Sequence, residues 1–104
     1  MVAQALTDAG VRGLVRQYEL TIPGYGPARF DLALPKVRWA IEIDIHPVHD
    51  ETIGRLRDRR RDAAAIDAGW TTSRLERQTY DRDLAGWADR IAERYRLLRA
   101  TRAA

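Results

Sequence analysis

The chain has 104 residues, of which 45% are apolar, and it carries a formal net charge of +3. This length and composition fit one globular domain, residues 1–104, with a single modest core, and they exclude wholesale disorder. The chain has no long apolar run, no basic and then apolar leader and no cysteine, which argues against a membrane span, a signal peptide and a thiolate site. We therefore expect a cytoplasmic protein with no membrane contact.

The first half of the chain predicts one helix followed by three strands. Loosely helical spacing of apolar residues predicts an N-terminal helix within residues 1–17. Residues 18–45 then show three runs of alternating apolar residues, separated by turns at PGYGP and at PK. Three side chains of the second run are expected on one face of their strand: Phe30, Leu32 and Leu34.

The second half predicts a helix, a short strand and a long amphipathic helix. The first of these helices has Asp50 or Thr52 as its N-cap, and Gly69 is placed to terminate it. The last helix is capped near Thr79 or Asp81 and is followed by a frayed tail over residues 99–104. The order α-β-β-β-α-β-α predicts an α/β fold, in which an antiparallel meander is joined by a fourth, parallel strand to give a mixed sheet.

Three acids interrupt the apolar hairpin, namely Asp31, Glu42 and Asp44. Glu42 and Asp44 project from the same face of their strand, and an antiparallel register can bring Asp31 beside them. Neighbouring carboxylates repel one another, and a hard divalent cation such as Mg²⁺ relieves that repulsion. Such an ion activates water for phosphodiester cleavage. In the alternative interpretation, the acids face water and pair with Arg29 or Arg38.

Two histidines, His46 and His49, follow the third strand at once. They suit a zinc site with neighbouring acids, although Pro47 prevents a helical frame and Zn²⁺ fits less well than Mg²⁺ or Mn²⁺. They also suit general acid–base work, since imidazole titrates near neutral pH. A third interpretation is that both are loop residues that cap the next helix or bind backbone groups.

An arginine-rich segment, RLRDRRRD over residues 55–62, is the densest charge run in the chain. On a helix Arg57 and Arg61 lie one turn apart, with Asp58 three residues before Arg61. Such a helix can present arginines to a phosphate backbone. A solvated face with internal ion pairs explains the same run.

Taken together, these motifs resemble the PD-(D/E)XK nuclease superfamily, and within it the small domains related to very-short-patch repair endonucleases. The pattern of that branch matches R-F-D ending at Asp31, a proline turn, E-I-D at residues 42–44, the two histidines, D-R-R-R at residues 58–61, G-W at residues 69–70 and an arginine, Arg74, in the last strand. The resemblance spans residues 18–98.

The resemblance implies a restriction-endonuclease-like αβββαβ core with a mixed central sheet and a C-terminal amphipathic helix. It implies a Mg²⁺- or Mn²⁺-dependent endonuclease in which Asp31 and Glu42 bind the metal and Asp44 stands in the place of the superfamily lysine. His46 or His49 would transfer a proton or position water. Contacts with nucleic acid, DNA in preference to RNA, would come from the helix and the last strand: Arg57, Asp58, Arg61 and Arg74.

Two departures from that pattern favour a second interpretation. Ile45 replaces the glycine that usually follows the acid, and the only lysine, Lys36, lies at the far end of the hairpin. The same fold would then bind nucleic acid or a protein partner, such as the remainder of a larger protein, without cleaving. A third interpretation is a structural domain that forms an oligomer through an apolar strip.

Overall fold

The structure, a computed structural model, describes the backbone of residues 1–45 and 52–103, and the side chains of those residues except 52–58 and 102–103. The elements, in chain order, are α1 (Val2–Asp8), β1 (Val15–Ile22), β2 (Gly26–Leu34), a 3-10 turn (Pro35–Val37), β3 (Trp39–Asp44), α2 (Thr52–Asp67), β4 (Thr71–Glu76) and α3 (Arg77–Ala103). The predicted order of helices and strands is therefore confirmed.

The strands form one four-stranded mixed sheet in the order β1-β2-β3-β4. β1 pairs antiparallel with β2, and β2 pairs antiparallel with β3. β4 follows helix α2 and pairs parallel with β3. This arrangement confirms the prediction of a meander that is joined by a parallel fourth strand after a helical crossover.

Each face of the sheet is covered by helices, so the molecule has three layers. The larger core lies between the sheet and helices α1 and α3, and includes Trp39, Ile41 and Leu75 from the sheet. The smaller core lies on the α2 side, where Phe30 and Ala40 meet Ala65 of α2. Trp39 to Ile41 are all buried because β3 is covered on both faces.

The N-terminal helix is shorter than the predicted segment of residues 1–17. It ends at Asp8, and residues from Val15 onward belong to β1. Gly10 follows the helix with φ of 105°, and the Val11 N–H donates to the Leu6 carbonyl over 3.0 Å. This glycine-terminated cap satisfies carbonyls at the helix end. The helix therefore ends there, although apolar residues with helical spacing continue along the chain.

The C-terminal helix also differs from its prediction. The cap expected near Thr79 or Asp81 lies instead at Asp83, whose backbone leaves helical geometry with φ of −157° and ψ of 55°. The Asp83 Oδ1 atom accepts a 3.0 Å hydrogen bond from the Gly86 N–H, as a helix N-cap does. Helix α3 continues to Ala103, so the backbone of the expected frayed tail is helical as far as that residue.

Helix α2 ends as predicted. Its last residue is Asp67, and Gly69 follows with φ of 90°. No helix within the described residues is both long enough and apolar enough to cross a membrane.

Candidate functional site

The site is built around Asp31, where strand β2 loses its regular alternation. Phe30 packs in the core on the α2 side, whereas Leu32, two residues later, packs in the core on the opposite side. The prediction that Phe30 shares a face with Leu32 is therefore wrong, because the strand rotates at the residue between them. On the neighbouring strand, Gln17 lies across from Asp31 and has φ of 50°, a left-handed conformation.

The Asp31 carboxylate is directed toward strand β3. Its Oδ2 atom accepts a 2.8 Å hydrogen bond from the backbone N–H of Ile43. The last paired residues of the two strands on this side are Leu32 and Ile41, so one further step of the register brings Asp31 beside Glu42. A carboxylate here replaces a backbone carbonyl as the acceptor for Ile43, which is why the strand accommodates an acid.

Glu42 faces helix α2 and pairs with an arginine of that helix. Its Oε1 atom lies 2.6 Å from the Nη1 atom of Arg61, and the two side chains are only 14% and 13% exposed. The Arg61 guanidinium also lies over the Phe30 ring, 4.8 Å from its centroid. Such stacking fixes the plane of the guanidinium over the ring.

The third acid, Asp44, lies in a second, more exposed ion-pair network. Its Oδ2 atom is 3.5 Å from Arg74 of strand β4, and Arg74 is 3.7 Å from Asp62 of α2. Asp62 in turn lies 3.3 Å from Arg61. The parallel register sets Arg74 beside Glu42, so this network occupies the sheet face covered by α2.

Ion pairs identify arginine partners for two of the three acids. In the described part of the chain the partners of Glu42 and Asp44 are Arg61 and Arg74, in place of the expected Arg29 and Arg38. Among the described side chains no group of three or more His, Asp or Glu is arranged to hold a metal ion. The expected gathering of all three acids around one ion is therefore not seen there, and a site with two carboxylates remains a prediction.

The side chains of four predicted site residues lie outside the part of the chain that the structure describes. His46 and His49 lie outside the described residues, as do the side chains of Arg57 and Asp58, whose backbone belongs to helix α2. Their proposed roles stay predictions.

A cavity of about 290 Å³ opens on the other side of Asp31, on the sheet face that α1 and α3 cover. Asp31, Gln17 and Arg16 supply polar groups, while Ile43 and Tyr80 supply apolar walls. Ile45, the residue that replaces a glycine in the family pattern, also lines this cavity. Its side chain is half-buried there, on the same side of the sheet as Ile43.

Sequence reasoning missed two contributors to the site. Asp62 joins the two arginines, and its only signal was its position at the end of the charged run. Phe30 supports Arg61, but its apolar character predicted only a core role. Phe30 takes this role because it packs on the α2 side of the sheet, where its ring lies under the Arg61 guanidinium.

Comparisons with known proteins add nothing to this geometry, because no family model, no curated protein and no solved structure matches the chain.

Proposed function

We propose that this chain is a metal-dependent endonuclease-like domain of the restriction-endonuclease-like fold, which hydrolyses phosphodiester bonds of nucleic acid, DNA in preference to RNA. The observation that carries this proposal is the placement of Asp31 and Glu42 at neighbouring positions of β2 and β3, where the ladder between those strands ends. The element order and mixed sheet are compatible with such a fold.

The residues fit Mg²⁺ or Mn²⁺ better than Zn²⁺. Mg²⁺ binds through one or two protein carboxylates, and water or phosphate oxygens complete its shell. Asp31 and Glu42 supply such hard oxygen donors, with Asp44 near Glu42 on the same strand. A bound ion of this kind supplies an activated water and stabilises charge on the phosphate. Zinc favours nitrogen and sulfur ligands, whereas Asp31, Glu42 and Asp44 supply oxygens.

The other side chains would bind and orient the nucleic acid. Arg74 keeps 30% of its side chain exposed, enough for a phosphate oxygen to reach it. Arg61 presents a planar fork of N–H donors, which matches a phosphate better than an ammonium group does. Arg57 and Asp58 belong to the same helix, and His46 or His49 would carry the proton in this proposal.

A second candidate function is nucleic-acid or protein binding without cleavage. The observation that favours it is that arginines already neutralise the acids, with Glu42 at 2.6 Å from Arg61 and Asp44 at 3.5 Å from Arg74. A patch of this kind is stable without a cation, so the fold can persist after the chemistry is lost.

Plasmid nicking with Mg²⁺ or Mn²⁺ tests the proposal. Asp31→Asn and Glu42→Gln each remove a charged donor, and we expect each to lower the rate by about a hundredfold or more. Asn retains an acceptor for the Ile43 N–H, so Asp31→Asn separates loss of chemistry from loss of fold. Glu19→Gln, at an exposed strand position, is the matched control and should nick like the wild type.

Three outcomes can follow from that assay. Metal-dependent nicking that both site variants lose supports the endonuclease. Salt-dependent binding of a DNA duplex with no nicking supports the binding module. Nicking that survives both substitutions contradicts the proposal, because the activity would then come from elsewhere.

A further inference from the structure

We infer that the Arg61 guanidinium occupies the cation-binding position on the Glu42 carboxylate and leaves it when a phosphate group binds the guanidinium. We call this the guard role of Arg61. This inference rests on the proposed function and deepens it, since it concerns how the same site gains its metal.

The contact between Arg61 and Glu42 is close and shielded. The Nη1 and Oε1 atoms are 2.6 Å apart, and the Oε1 atom itself is excluded from solvent. Charges that are removed from water interact more strongly than exposed charges, and salt screens them less. A divalent ion that binds Glu42 must therefore displace this guanidinium or share the carboxylate with it.

The position of Arg61 is fixed by more than Glu42. Its guanidinium stacks on the Phe30 ring, and its Nη2 atom lies 3.3 Å from Asp62 Oδ1. Phe30 directly precedes Asp31 in the chain, so Arg61 contacts both strands that supply the proposed metal ligands. A single side chain thus contacts Glu42 and the residue that precedes Asp31.

A phosphodiester competes with Glu42 for the same fork of donors. Arginine binds phosphate through two parallel N–H···O bonds, as it binds a carboxylate. When phosphate binds Arg61, the negative charge of Glu42 loses the neutralisation that this guanidinium provides, and a divalent ion can supply it instead. Phosphate and metal binding are then mutually favourable, and by linkage each must strengthen the other by the same factor.

Titration of Mn²⁺, followed by electron paramagnetic resonance, tests the guard role without requiring activity. We expect Arg61→Gln to bind Mn²⁺ about tenfold more tightly than the wild type, which lies within the usual range of coupling between sites. Arg61→Lys keeps the charge without the planar stack and should be intermediate. The matched control is Arg60→Gln, an exposed arginine of the same helix, which should leave the affinity unchanged.

Two further arms complete the experiment. Glu42→Gln in the Arg61→Gln background should abolish the gain, which assigns it to this carboxylate. A DNA duplex with phosphorothioate linkages should raise the Mn²⁺ affinity of the wild type toward that of Arg61→Gln. Thermal melting without Mn²⁺ checks that each variant is folded. Melting with Mn²⁺ reports binding independently, because a bound ion raises the melting temperature.

Equal Mn²⁺ affinities for wild type and Arg61→Gln would overturn the guard role. A gain in Mn²⁺ affinity that persists after Glu42→Gln would also overturn it, as would a wild-type Mn²⁺ affinity that the duplex leaves unchanged. Metal-dependent nicking alongside equal affinities would leave the proposed function standing. A tenfold gain in affinity with no nicking by any variant would leave the guard and overturn cleavage.

Discussion

At the scale of single residues, Asp31 explains how a strand can hold an acid. Its Oδ2 atom accepts the Ile43 N–H at the point where a backbone carbonyl of β2 would otherwise serve. The residue thus satisfies a backbone donor and still has a second carboxylate oxygen. Composition alone marks Asp31 as unusual in a strand, but the hydrogen bond depends on the rotation of β2, which alternation did not predict.

The buried indole of Trp39 gives a residue-scale prediction about stability. Trp39 is fully buried, and its Nε1–H donates to the Ser73 hydroxyl over 2.8 Å. Ser73→Ala leaves this donor without its acceptor, which should lower the free energy of unfolding by about 1–3 kcal/mol in urea titrations. In a Trp39→Phe background the donor is absent, so the same substitution should cost less than about 0.5 kcal/mol. Equal costs in both backgrounds would contradict this account.

At the scale of elements, the main departures from sequence expectation come from caps and rotations. Helix α1 stops at its glycine cap, and α3 breaks at Asp83 although its apolar spacing continues. Apolar periodicity reports which face is buried but not where backbone hydrogen bonds change partner. The end of α2 was predictable because Gly69 supplies both the stop signal and the positive φ.

The Asp83 cap makes Gly86→Ala an unusual substitution. Alanine normally stabilises a helix interior by about 1 kcal/mol relative to glycine. Here a Cβ atom at residue 86 would lie within 2.6 Å of the Asp83 carboxylate, so the carboxylate must move and the cap must weaken. We expect Gly86→Ala to lower the melting temperature rather than raise it.

The matched test of that prediction uses the Asp83→Ala background. Loss of the cap alone should cost about 1 kcal/mol, within the range for such residues. Without the carboxylate the Cβ atom meets no obstacle from it, so Gly86→Ala should then stabilise the helix. A stabilising effect of Gly86→Ala in the wild-type chain would contradict this interpretation of the cap.

At the scale of the whole molecule, the two faces of the sheet have different tasks. Helices α1 and α3 cover the larger core, while α2 covers the smaller core and supplies Arg61, which pairs with Glu42 of β3. The sequence predicted the α/β layers and the mixed sheet, because long alternating runs and an intervening helix leave few topologies. It also left open a register in which Asp31 lies across from Glu42, and the observed pairing of Leu32 with Ile41 is one step from that position.

The ion-pair partners of Glu42 and Asp44 could not be predicted from the sequence. The family pattern marked Arg61 and Arg74 as site residues that contact nucleic acid, but it did not indicate that they pair with Glu42 and Asp44. Which arginine reaches Glu42 depends on how α2 packs across the sheet and on Phe30, which turns toward α2 only because β2 rotates at Asp31. The ion-pair network is therefore a property of tertiary packing.

The central claim is that Asp31 and Glu42 together bind a divalent cation. Its most direct measurement is anomalous scattering from crystals soaked in Mn²⁺, with wild type and Arg61→Gln treated alike. The account predicts a manganese peak bonded to an oxygen of each carboxylate, stronger in Arg61→Gln than in the wild type. Crystals of both proteins with no peak between these two side chains would contradict it.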